Sequence, residues 1–192
     1  MHPFEFYLKL GFEHIADMAA YDHILFLVAL CAVYRMEQWR NILILVTAFT
    51  IGHSVTLVLV SLDMLSIPSK IIKFLIPLTI FLTALYNVIG PAKTGSSRKG
   101  NYSMALFFGL IHGMDFSNYF RALIMDPSDI VVPLLGFNIG IELGQLLVVF
   151  CIVGIAVLFL NVLKVKHREW TVFISGAALG MSLLSMLENR FW

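Results

Sequence analysis

The sequence predicts an all-α membrane protein, a single bundle of six transmembrane helices with a short N-terminal interfacial helix. Three observations lead there. Of 192 residues, 59% are hydrophobic and only 13% are charged, with a mean hydropathy of +0.89, whereas soluble domains carry about 25% charged residues. The apolar residues gather into long stretches, most of them near the roughly 20 residues a helix needs to cross the hydrocarbon core. The stretches do not alternate in polarity over segments of about 10 residues, as the strands of a membrane β-barrel would.

Taken in order, "MHPFEFYLKLGFEHIADM" mixes acids with a single lysine and lacks the basic-then-apolar order of a signal peptide. Phe4, Tyr7, Leu8, Leu10 and Phe12 suit a helix lying at the bilayer surface. The first span is expected at about 18–36. Its clean apolar run, 24–34, is too short alone, so the helix must include Asp22 and His23 inside the membrane boundary. Further spans are expected at about 41–62, 71–90, 102–121, 131–162 and 169–187, forming one transmembrane domain over 1–192. "GPAKTGSSRKGN" at 90–101 reads as a flexible connector between two three-helix halves. No internal repeat relates those halves in sequence. Cys31 and Cys151 fall in separate spans and read as packing residues rather than a disulfide.

One set of alternate loops holds Arg35, Arg40, Lys93, Arg98, Lys99, Lys164, Lys166 and Arg168. The other holds Lys9, Lys70, Lys73, Arg121 and Arg190 with most of the acids, including Glu5, Asp63, Asp126, Asp129 and Glu188. The basic excess places both termini outside the cytoplasm.

Ionisable groups recur inside the spans. His53 lies about 12 residues past Asn41, roughly 18 Å along an outward helix, and His112 about 15 Å from the inner end of its own helix. Glu142 falls near the middle of the fifth span, with Asn138 and Gln145 a turn to either side. Asp22 and His23 enter at the outer end of the first span. Unpaired ionisable groups at such depth cost several kcal/mol, so one shared site accounts for them better than separate accidents. His14, His23, His53 and His112 with Asp17, Asp22 and Glu142 form an imidazole and carboxylate mixture suited to zinc, nickel, iron or copper. The pairs His14/Asp17 and His112/Asp115, at i, i+3, make each acid a ligand or a group that orients a neighbouring ring. Asn138 and Gln145 read equally as site residues or interhelical hydrogen-bond partners. Thr79, Thr83 and Asn87 form an i, i+4 stripe read as packing.

The ordered blocks G-x-x-H-I (Gly11 to Ile15), Y-D-H-x-L-F-L (Tyr21 to Leu27), F-T-x-x-H-S-x-T-L (Phe49 to Leu57), F-G-L-I-H-G (Phe108 to Gly113) and F-N-x-G-I-E-x-G-Q (Phe137 to Gln145) resemble the HupE/UreJ family. These are membrane accessory proteins of hydrogenase and urease systems, and the likeness is to short Bacteroidetes-type members. The resemblance covers nearly the whole chain. It implies a bacterial inner-membrane protein that binds or transports nickel, with His14, Asp22, His23, His53, His112 and Glu142 as ligands. Ala20 stands where the family usually has glycine, and Asp115 replaces another glycine beside His112. A membrane or metallochaperone partner stays open, and no nucleic-acid partner is expected.

Two functions compete. In the first, a divalent transition metal, Ni or Zn, is captured by His14, Asp22 and His23, passes to His53, His112 and Glu142, and leaves inward. No exit lining is evident in the sequence. In the second, three histidines hold zinc in an intramembrane hydrolase of lipid or peptide, with a carboxylate as base and Ser54 or Asn138 stabilising an oxyanion. No H-E-x-x-H or G-x-S-x-G signature supports it. A cluster that only fixes helix packing is the third reading.

Overall fold

The computed structural model describes residues 2–17, 21–90, 98–124 and 130–191, and among these there is helix but no strand. The helices are α1 (Pro3–Ala16), α2 (Tyr21–Cys31), α3 (Trp39–Ser61, entered through a 3-10 turn at Met36–Gln38), α4 (Ser69–Ile89), α5 (Arg98–Leu123), α6 (Val131–Val157, continued by a π turn at Leu158–Val162) and α7 (His167–Glu188). Their order follows the expected apolar stretches. Residues 91–97 of the expected connector, and Asp126 and Asp129 of the charge tally, lie outside the described residues.

Among the described residues, four helical segments are long and apolar enough to cross a bilayer: Met36–Ser61, Ser69–Ile89, Val131–Val162 and His167–Glu188. α1 and α2, inclined at 65°, make a fifth if the bent pair counts as one span. The expected six uninterrupted spans are therefore revised in two places. The first was drawn at 18–36, but α2 has only 11 residues and ends in a turn after Cys31. The fourth was drawn at 102–121 and is indeed helical, yet α5 carries Asp115 and Arg121 together with His112, Gly109 and Gly113, which leaves it poorer in apolar residues than the others. Large apolar side chains face outward elsewhere: Phe150 and Phe173 are 77% and 73% exposed, as a hydrocarbon surrounding permits.

The N-terminal helix also departs from a free surface-lying segment. α1 is capped by His2, whose Nδ1 accepts from the Phe4 amide at 3.3 Å, and it packs lengthwise on α6. Glycine decides how closely. A Cβ on Gly11 would stand 2.1 Å from the Phe137 carbonyl oxygen, and one on Gly140 would stand 2.1 Å from that of Leu8. α3 and α5 meet the same way, with Gly52 against the Leu106 carbonyl and Gly109 against that of Phe49, each again at 2.1 Å. Such backbone approach is the usual device where lipid removes the hydrophobic drive for helices to pair.

Within each pair the residue numbers climb together, so α1 runs parallel to α6 and α3 parallel to α5. The two pairs oppose each other. Tyr7 near the start of α1 donates to the Leu123 carbonyl at the end of α5 (2.8 Å), while His14 further along packs on Phe116 further back. Gly11 plays the part of Gly109, Gly140 that of Gly52, and His14 and His112 each stand three residues past their glycine. α3 and α5 thus answer to α6 and α1. The correspondence wraps around the chain ends, which is why a direct comparison of the two halves finds no repeat. α4 packs on α7, and α2 sits among α4, α6 and α7 without a counterpart.

Candidate metal centre

The two opposed pairs bring their histidine-bearing stretches together where α2 begins. His14 from α1, His23 from α2 and His53 from α3 each offer a ring nitrogen, and the three nitrogens lie within 4.8 Å of one another. Ring centroids are 4.7 Å apart for His14 and His23, 5.9 Å for His14 and His53, and 6.1 Å for His23 and His53. His23 and His53 are buried and His14 is half-buried. Both nitrogens of His23, both of His53 and Nε2 of His14 are buried without a hydrogen-bond partner. Polar atoms in that state are rare in native proteins and call for an explanation such as ion binding.

His112 stands next to this trio, its ring 5.2 Å from that of His23. Its Nε2 lies 3.0 Å from Thr79 Oγ1, and the Thr79 hydroxyl donates to the Ile76 carbonyl at 2.7 Å. That hydroxyl has one hydrogen, already given, so His112 must be the donor. Nε2 then carries the proton, and Nδ1, buried and unpartnered, keeps its lone pair. A ligand histidine is ordinarily held by such a bond on its second nitrogen. Thr79 was read as packing from sequence. Its signal was there in the stripe it shares with Thr83 and Asn87, but spacing alone does not reveal which neighbouring helix a stripe faces.

The acids divide. Asp22 adjoins His23, is half-buried with Oδ1 unpartnered, and is near enough to Asp115 for their charges to interact. Asp115 is exposed and also within the influence of Lys73 on α4. Asp17 is exposed at the end of α1 and, with Glu13, His14, Leu10, Ala16 and Phe116, lines an open cavity of about 450 Å³ that touches the trio at His14 alone. The Glu142 carboxylate accepts from Thr47 (2.7 Å) and Thr50 (2.6 Å) across the seam between α3 and α6. Gln145 joins it there through Thr50 at 2.8 Å, and Asn138 lies one turn before it with Oδ1 unpartnered. Ser54 donates its hydroxyl hydrogen to the Thr50 carbonyl at 2.7 Å.

Phenyl rings wall the pocket. Phe116 is 4.2 Å from His14 and stacked on Phe137 at 4.9 Å, while Phe26 and Phe49 stand 5.2 and 5.1 Å from His112. The apolar wall keeps competing water away, so ligand nitrogens there can be satisfied by an ion or by one another's protons and little else. Neither cysteine takes part: Cys31 is buried in an apolar cluster with Leu27, Ile42 and Val46, Cys151 is exposed, and both are free.

The fold and the site define a helical membrane protein with a cluster of imidazoles in its interior that could hold a metal ion. The chain belongs to the HupE/UreJ family, whose model, described as HupE / UreJ protein, matches residues 1–190. It is a family of nickel and cobalt accessory membrane proteins. No curated protein and no solved structure matches the chain.

Proposed function

We propose that the protein is a divalent metal permease of the bacterial inner membrane, nickel being its cargo, with His14, His23 and His53 as the central ligands and His112 and Asp22 completing the set. The observation that carries this reading is the convergence of three imidazoles whose nitrogens are buried and unpartnered. Neutral imidazoles suit nickel, zinc or copper better than hard cations. A dication among neutral rings in an apolar wall needs negative charge, and Asp22 is the acid next to the trio. Membership of the HupE/UreJ family is what favours nickel over zinc or copper in this reading.

The topology follows the charge excess, with both termini outside and α5 crossing beside α3, so that the whole chain forms one transmembrane domain. The open cavity at Glu13, His14 and Asp17 is then the mouth. An exit is supported by the α4 stripe. From Thr79 at His112, Thr83 and Asn87 continue one turn at a time toward the opposite end, all buried. Thr83 donates to the Thr79 carbonyl, and Asn87 donates to the Ala29 carbonyl and Ser175 Oγ. These oxygens form a polar line through an otherwise apolar half, favouring passage over an enclosed hydrolytic site.

The test is Ni²⁺ influx into vesicles reconstituted with the pure protein. Flux down a gradient is expected, reduced at least 10-fold in His53→Ala. Vesicles that bind Ni²⁺ at their outer face but pass none would move the hydrolase reading ahead.

A further inference from the structure

Glu142, a candidate ligand by its depth, is held by the hydroxyls of Thr47 and Thr50, and its surroundings differ in chemistry from the histidine pocket. Thr50 Oγ1 lies 2.6 Å from Glu142 Oε2, 2.8 Å from Gln145 Oε1 and 3.2 Å from the Val46 carbonyl oxygen. Three acceptors therefore surround a hydroxyl with a single hydrogen. Glu142 Oε1 takes the hydrogen of Thr47 at 2.7 Å. The one group at hand that could supply more hydrogens, Gln145 Nε2, is buried and unpartnered, and Gln145 itself is fully buried. Oxygen thus outnumbers hydrogen in this seam. The carboxylate also lacks a counter-charge, since no ion pair of Glu142 exists among the described residues.

We propose that the α3–α6 seam is a binding site for a monovalent alkali cation, sodium by preference, held by the Glu142 carboxylate with Thr47 Oγ1, Thr50 Oγ1 and Gln145 Oε1. Carboxylate, hydroxyl and amide oxygens are the donors hard cations take, and the set contains none of the nitrogens that the histidine pocket offers. One carboxylate balances one positive charge, whereas a divalent ion would leave an excess charge in a hydrocarbon setting. On binding, the hydroxyl oxygens turn their lone pairs to the ion and release their hydrogens to carbonyls such as Val46. Thr47 is the most exposed of the four, at the edge of the seam. Thr50 lies one turn before His53 on α3, so an ion here bears on the helix that carries a metal ligand. The competing arrangement turns the Gln145 amide so that Nε2 donates to Thr50, which makes the seam a closed structural network with no ion.

The experiment is thermal unfolding of the purified full chain in detergent, with NaCl exchanged for choline chloride at constant ionic strength, beside direct binding of ²²Na⁺. Sodium is expected to raise Tm in proportion to the logarithm of its concentration once above its Kd, by roughly 5–10 °C at a hundredfold excess, and ²²Na⁺ to bind. Both responses should vanish in Glu142→Gln and weaken in Thr50→Val, a near-isosteric change that keeps the proposal testable if Glu142→Gln does not fold. Ni²⁺ binding by the histidines should persist in Thr50→Val, so loss of one site is distinguishable from loss of the other. Equal Tm in sodium and choline, ²²Na⁺ binding unchanged by both substitutions, or a response to pH with none to sodium would each overturn the assignment.

Discussion

At the scale of single residues, depth along a helix proved easier to read than direction around it. Rise per residue put His53, His112 and Glu142 at similar heights, but successive residues also turn by about 100°. Ile141 faces the core with no exposure, and the next residue, Glu142, is carried round to the α3 seam. Thr79 illustrates the converse, a residue set aside because its neighbour could not be known. Two expectations belong here. Thr79→Val removes the acceptor that holds the His112 proton on Nε2 and should weaken Ni²⁺ affinity about 10-fold with the fold intact, as calorimetric titration would register; unchanged affinity would remove His112 from the ligand set. Metal binding requires deprotonated imidazole, so affinity must fall once pH is low enough to protonate the free rings, and in that range alone the rings release protons on binding. Titrations in buffers of different ionisation enthalpy measure that release directly.

At the scale of helices, the apolar stretches were legible because lipid demands length and continuity, and α3, α4, α6 and α7 follow them closely. The first and fourth spans were harder for one physical reason: they carry the site. Asp22 and His23 stand at the start of a short α2, and the glycines, His112 and Asp115 dilute α5. The glycines themselves look generic in sequence, and only their partners show that four of them set two helix crossings. Gly140→Ala should therefore be severely disruptive, at about 1–3 kcal/mol or more from overpacking against the Leu8 carbonyl. Gly176→Ala, with nothing within 4 Å of its would-be Cβ, should be neutral or slightly stabilising. Chemical or thermal denaturation of the two variants side by side distinguishes them, and equal effects would contradict the close crossing.

At the scale of the whole molecule, two opposed parallel pairs hold the histidines between them, an arrangement invisible to any comparison of first half with second. Opposed repeats around a central site are a common plan among transporters, with the site near the bilayer midplane. The orientation proposed from charge predicts that a cysteine at position 128 in Ser128→Cys is labelled readily from outside intact cells while one at position 97 in Ser97→Cys is protected; the reverse pattern would invert the assignment.

All of this depends on the histidine pocket being a metal site. The most direct measurement is the metal content of purified protein after exposure to Ni²⁺ and removal of the excess, set against the same protein carrying His23→Ala and His53→Ala together, with helical content checked by circular dichroism. The account predicts about one tightly held ion per chain in the natural sequence and loss of nearly all of it in the folded double variant. Equal metal in both proteins, or none in either, would contradict it.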